Sequence, residues 1–223
     1  MSTVVAIDGP AGSGKSTVAQ LLAAKLGFTY VNTGSLYRAV AWAASNQGIA
    51  LDNVPEKFVD SLDLRYSNGV LLVNGVDPGS ALRSAEIASG ASCVSKIPCV
   101  RAALLPVQKN AAACGWIVME GRDIGSVVFP DAKCKFFVTA TLAERARRRL
   151  AQKGEVSSNA TIDDVMKDIA KRDEQDSKRD IAPLKKADDA VEIVTDGLTP
   201  DEVVDLLAGY IRPHLEVSEV REV

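Results

Sequence analysis

Short apolar runs alternate along the chain with longer stretches in which apolar residues recur every three or four positions. The first run, Val4 to Ile7, precedes a glycine-rich turn, after which Val18, Leu21, Leu22 and Leu26 fall at helical spacing and Gly27 supplies a stop. Phe28 to Val31 predicts a second strand, and a helix follows from about Ser35 to Ser45. Ile117 to Met119, Phe136 to Val138 and Val191 to Val194 have the length and composition of further buried strands. A closing helix is expected from about Pro200, carrying Val203, Leu206, Leu207 and Ile211. This order predicts an α/β protein, a parallel sheet covered by helices.

Two segments break the alternation. Leu62-Asp-Leu-Arg-Tyr66 and Val70-Leu-Leu-Val73 flank Ser67-Asn68-Gly69, with Asn74-Gly75 directly after, a strong signal for a small antiparallel insert over about 60–82. Farther on, Leu142 to Gln152 reads as a basic helix, Lys153 to Asn159 as a polar break, and Ile162 to Asp173 as helix again.

The 223 residues suffice for one domain with a buried core, with 47% apolar and 25% charged residues. A net charge of −3 argues against bulk electrostatic binding of nucleic acid, although arginines cluster at 145–149 and 172–179. The four cysteines show no Cys-x-x-Cys pair and are expected to be reduced thiols of a cytoplasmic protein. No run approaches the roughly 20 apolar residues of a membrane span, and the start of the chain does not read as a signal peptide. With His214 as the single histidine, triad chemistry is improbable and a multi-histidine zinc site is excluded.

Gly9-Pro10-Ala11-Gly12-Ser13-Gly14-Lys15-Ser16, followed by Thr17, fits the phosphate-loop pattern G-x-x-x-x-G-K-S/T. Its glycines let backbone N–H groups turn inward around phosphate oxygens, and the next helix adds its positive end. Lys15 is placed for the outer phosphates of a nucleoside triphosphate and the Ser16 hydroxyl for Mg²⁺. The destination of the phosphoryl group must come from elsewhere. A hydroxyl acceptor needs a base and a hydrolase a positioned water, whereas a phosphate acceptor needs mainly cations. Arg38 in Thr33-Gly-Ser-Leu-Tyr37-Arg38, Arg122 in Glu120-Gly-Arg122-Asp123, and Arg172 to Arg179 supply them; the first two follow predicted strands, where open α/β sheets bind ligands.

The segments IDGPAGSGKST, TGSLYR, GRDIGSVVFPDA and RDEQDSKRDIAPL, with the hairpin insert, resemble the nucleoside monophosphate kinases, specifically the bacterial cytidylate kinases. The resemblance spans nearly the whole chain and implies the P-loop kinase fold: a five-stranded parallel sheet flanked by helices, a single kinase domain over 1–223. It further implies a monophosphate-binding region over 33–105 and a lid over 142–180. The implied reaction passes a phosphoryl group from ATP to CMP or dCMP, with Mg²⁺ as cofactor and no nucleic-acid or membrane partner, in an expected monomer. Arg38, Arg122 and Arg179 take roles near the phosphates, Ser92, Arg101 and Asp123 read the base, and Arg172 with Asp176 holds the sugar; Thr33 and Tyr37 complete the acceptor side. An aspartate acceptor beside arginine and serine donors complements the cytosine edge.

The chain departs from the family pattern at three places. Asn32-Thr33 stands where Asp-Ser is expected, Ser16 where many relatives have glycine, and Glu120 where aspartate is commoner. Arg145, Arg148 and Arg149 are all candidates to reach ATP from the lid. The alternatives are a kinase of another nucleoside monophosphate or of a small metabolite such as shikimate, and, in a different class, a nucleotide-dependent switch.

Overall fold

The computed structural model describes residues 3–67, 70–152, 156 and 159–219. Five strands form one parallel sheet: β1 (Val4–Asp8), β2 (Thr29–Asn32), β5 (Ile117–Gly121), β6 (Cys134–Thr139) and β7 (Val191–Val194), in the order β2-β5-β1-β6-β7. Every residue of β1 and β5 is buried, as expected of strands covered on both faces. The expected strands are all present, and β5 runs two residues farther than its apolar stretch, so Glu120 and Gly121 belong to the sheet.

Helix α1 (Lys15–Leu26) packs with α8 (Pro200–Glu219) around Val5, Ile7, Leu22, Phe136, Leu207 and Ile211, one apolar cluster of the core. Helix α2 (Thr33–Asn46) starts two residues earlier than the periodicity indicates, because the Asn32 side chain caps it by accepting from Ser35 N–H. A second apolar cluster joins α2 to α3 (Glu56–Asp60), α4 (Ala85–Val94) and α5 (Pro98–Asn110) through Leu36, Val40, Phe58, Ile87, Val94 and Leu104.

The insert is present as β3 (Leu64–Ser67) paired antiparallel to β4 (Val70–Val73), with Leu71 and Val73 buried in that second cluster. Asn68-Gly69, its expected turn, lies outside the described residues. The other Asn-Gly pair closes a tight turn between Val73 and Val76, with φ of 51° at Asn74 and 80° at Gly75, the left-handed pair such turns require. Helices α6 (Leu142–Ala151) and α7 (Ile162–Ser177) share a small cluster of Ala146, Val165 and Ile169. The Thr161–Asp164 capping box starts α7. The polar break expected at Lys153 to Asn159 falls largely outside the described residues. No helix among the described residues is long and apolar enough to cross a membrane, and Cys93, Cys99 and Cys134 are free thiols.

Candidate functional site

The carboxyl ends of β1, β2 and β5 open into a cavity of about 1060 Å³ that takes its walls from the phosphate loop, α2, the insert, α4–α7 and the turn after β5. Ten lysine and arginine side chains line it against five carboxylates, so it is built for anions.

The loop from Gly9 to Gly14 connects β1 to α1. Its path demands glycine at one point above all: at Gly9, φ is 149° and a Cβ would stand 2.0 Å from the Val138 carbonyl oxygen. Lys15 is buried and donates to the Pro10 carbonyl at 2.7 Å. Burial, reinforced by nearby Arg122, pulls its pKa down to about 7. An ammonium group in this state is poised for a polyanion that would restore its charge.

Arg38, Arg122, Arg149 and Arg172 surround the same space. Arg122 donates through Nε to Asp176 at 3.1 Å, and Arg38 donates to the Leu82 carbonyl at 2.9 Å. Arg172 has a buried Nε with no partner among the described residues, and burial, with Arg122 beside it, lowers its pKa to about 10. A guanidinium with a buried, unsatisfied Nε beside three other arginines, and with Asp176 as its nearby carboxylate, suits an anion. Arg172 and Asp176 do share one face of α7, as their spacing predicted. Arg172 lies near Arg122, Arg149 and Arg38, with Asp176 the carboxylate beside it.

Arg179 occupies the opposite end. It donates to Ser95 Oγ at 3.2 Å and to the Ala182 carbonyl at 2.8 Å, near Arg101, Asp123 and Tyr37. There the Arg101 guanidinium pairs with the Asp123 carboxylate, both almost fully buried, and stacks over the Tyr37 ring at 5.6 Å. Burial pushes the Asp123 carboxyl up, while Arg101 and Arg179 oppose the rise. Ser92 lines the cavity from α4, and its carbonyl holds the Ser95 hydroxyl at 3.0 Å. Ser92, Arg101 and Asp123, which the resemblance groups together, all line this cavity, and Arg179 lies near Arg101 and Asp123.

At the phosphate end, Glu120 faces the loop from β5. Its Oε1 accepts from the Tyr30 hydroxyl at 2.7 Å, and its backbone carbonyl accepts from the Thr33 hydroxyl at 2.7 Å. Thr33 therefore spends its proton on β5 and keeps only lone pairs for the cavity. The Ser16 hydroxyl lies within hydrogen-bonding reach of Tyr30. No group of three or more His, Cys, Asp or Glu residues among the described residues is arranged for a metal. One hydroxyl and one carboxylate suit a Mg²⁺ that arrives on phosphate oxygens and keeps most of its waters.

The sequence reading missed two contributors. Asp8, at the end of β1, accepts from the Ile124 and Gly125 amides at 2.8 Å each, fixing the turn that carries Arg122 and Asp123. Its signal was visible, since a buried strand ending in a carboxylate needs a partner. The other is Tyr30, which looked like one more apolar strand residue. The basic run of α6 also resolves into separate tasks. Arg145 is buried against the phosphate loop, and Arg148 donates to the Ser13 carbonyl at 3.1 Å and to Thr195. Arg147 pairs with Glu144 on an exposed face, and Arg149 lines the cavity.

A family model described as cytidylate kinase matches residues 5–213. A cytidylate kinase of Geobacter sulfurreducens is 44% identical over 215 residues, covering 94% of this chain and 92% of that protein. A bifunctional pantoate ligase/cytidylate kinase of a Synechococcus species is 45% identical over 96% of this chain, which spans only 44% of that longer protein. Among solved structures, a shikimate kinase from Bacteroides thetaiotaomicron aligns with a TM-score of 0.50 at 14% identity, over 96% of this chain and 98% of that one, a likeness of fold alone.

Proposed function

The chain belongs to the cytidylate kinase family, and from that membership we propose transfer of the terminal phosphoryl group of ATP to CMP or dCMP, giving ADP and CDP or dCDP. One observation carries the choice of a phosphate acceptor. Each carboxylate lining the cavity is already engaged: Asp77 by the Gly79 amide, Glu120 by Tyr30, Asp123 by Arg101, Glu144 by Arg147 and Arg148, and Asp176 by Arg122. None is poised as a general base for a hydroxyl, while the cations are in excess. A monophosphate dianion needs no base, because it attacks through an oxygen that is already ionised.

In the reaction, an oxygen of the acceptor phosphate bonds to the γ-phosphorus as the bond to the β–γ bridging oxygen breaks, and ADP leaves. The phosphate loop and Lys15 hold the donor. Arg38, Arg122, Arg149 and Arg172 neutralise the charge that two polyanions bring together, which is most of what such a transfer needs from its protein. Ser16 and Glu120 are the residues that would meet a Mg²⁺ bound with ATP, which would add to the charge neutralisation. Arg101 and Asp123 present a donor and an acceptor to the cytosine edge, with Ser92 beside them and the Tyr37 ring supporting Arg101. Arg179 stands with Arg101 and Asp123 at the base end, and Asp176, paired with Arg122, borders the sugar between the two ends. Helices α6 and α7 form the lid, which excludes water as a competing acceptor.

The test is ADP formation with CMP, dCMP, UMP, AMP and shikimate as acceptors, alongside ATP alone. CMP or dCMP is expected to give the largest kcat/KM, and no stimulation by CMP over ATP alone would overturn the reading. Asp123→Asn should lower kcat/KM for CMP about a hundredfold while ATP affinity stays within about twofold, since a site built on buried polar pairs rejects a mismatched edge strongly. Equal losses on both sides would point to a folding defect.

A further inference from the structure

Asn32 and Glu120 meet at a single atom. The Tyr30 hydroxyl donates to Glu120 Oε1 at 2.7 Å and accepts from Asn32 Nδ2 at 3.2 Å. The sheet makes the meeting unavoidable: Asn32 stands opposite Glu120 in the β2–β5 register, and Tyr30, two residues earlier, faces the same side. Among the described residues, the Glu120 carboxylate has no other hydrogen-bond partner.

A phenol has one proton, and its direction decides what it can hold. Asn32 Oδ1 is committed to the Ser35 N–H as the cap of α2 at 3.1 Å, so the amide turns its NH₂ toward Tyr30. Tyr30 is therefore left free to give its own proton to Glu120. An aspartate at position 32 could still cap α2, but it would offer Tyr30 only a second acceptor. Two carboxylates would then contest one proton. The Tyr66 hydroxyl, on the insert, donates to the Asn32 carbonyl at 2.8 Å and holds that residue from the other side.

We propose that Tyr30 is a positioning residue: with its proton directed by Asn32, it holds the Glu120 carboxylate at the Lys15–Ser16 end of the phosphate loop, to orient the cation that accompanies the donor nucleotide. This rests on the reading of the cavity as a donor-triphosphate site. Tyr30 touches no reacting atom, and its effect passes through Glu120. The longer glutamate needs this restraint, because its extra rotatable bond would otherwise cost the site its geometry.

The experiment measures ATP binding by calorimetry with Mg²⁺ and with EDTA, for wild type, Tyr30→Phe, Asn32→Asp and Glu120→Gln. Steady-state kinetics with CMP and thermal unfolding accompany it. Tyr30→Phe keeps the ring and its packing, so its Tm is expected near wild type. The gain in ATP affinity on adding Mg²⁺ should fall about tenfold, the size expected for one hydrogen bond to a charged group, with metal-free ATP affinity within about twofold. The kinetics should show kcat lower by a similar factor and KM for CMP unchanged. Asn32→Asp should act in the same direction, and Tyr30→Phe should add little to Glu120→Gln, because both operate on one carboxylate. An undiminished Mg²⁺ gain in Tyr30→Phe would overturn the proposal. So would equal weakening of ATP with and without metal, which would mark a distorted phosphate loop. The binding measurements need no acceptor, so a failure of CMP to be phosphorylated would sink the proposed activity and leave this inference to stand or fall separately.

Discussion

Arg145, near the start of α6, donates to the Ala11 carbonyl at 3.1 Å inside the phosphate loop. The same guanidinium pairs with Asp173 of α7, whose other carboxylate oxygen accepts the Ala11 amide at 3.2 Å. Helices α6 and α7 are thereby strapped to the phosphate loop. A charge buried this way, bonded to the Ala140 and Ala11 carbonyls and to Asp173, organises the loop.

Arg145→Ala is therefore expected to destabilise the fold by about 3 kcal/mol, because it leaves Asp173 short of its cation in a largely desolvated position. Arg149→Ala should leave Tm unchanged and lower kcat by about a hundredfold, the scale of removing one donor from a charge-stabilising site. Thermal unfolding and ADP formation on the two variants decide it. Matching losses of Tm would show that the two arginines are not divided between structure and chemistry.

Nucleotide binding should take up a proton. The pKa of Lys15 is lowered to about 7, first by burial and then by Arg122. At pH 8 it is mostly neutral, and a bound polyphosphate favours the charged form. ATP titrations in buffers of different ionisation enthalpy should report close to one proton taken up per site at pH 8, and far less at pH 6. Lys15→Met should abolish the uptake, and an uptake that persists in it would assign the proton elsewhere.

Stability should carry the signature of Asp8. Burial raises its pKa from 3.8 to about 6, against the opposing pull of the Gly125 and Ile124 amides. A raised folded-state value means that the folded protein binds the proton more tightly. The contribution is therefore fully present below about 3.8 and is lost as pH rises through about 6. Asp8→Asn should lack this slope, so wild type should lose stability relative to the variant between pH 4.5 and 7.5 in urea unfolding. At any one pH the variant also gives up one backbone acceptor, at about 1–3 kcal/mol. A constant difference across that range would show that Asp8 does not titrate there.

Local signals carried well. The phosphate loop was legible because its conformation is set by contiguous residues, above all a Gly9 that no side chain could replace. The five strands were legible as apolar runs too short for helices, and the second Asn-Gly pair closed the turn its φ preferences demand. Helices α4 and α5 gave no clear signal. The first is mostly Ala, Ser and Gly with little side-chain contrast, and the second carries Pro106 in its interior. The early start of α2 depended on an asparagine cap that periodicity does not register.

The sequence by itself determined the phosphate loop, the strand–helix order and the cationic residue types that gather around the cavity. All of these follow from backbone preference and from charge that cannot be buried alone. The tertiary structure decided the tasks within each set. It placed Arg172 near Arg122, Arg149 and Arg38 and Arg179 beside Asp123, separated Arg145 from Arg149, and brought Tyr30 and Asn32 to Glu120 across neighbouring strands. Spacing along a helix or strand shows which side chains share a face, while a role depends on what that face meets, and here the partners come from distant parts of the chain.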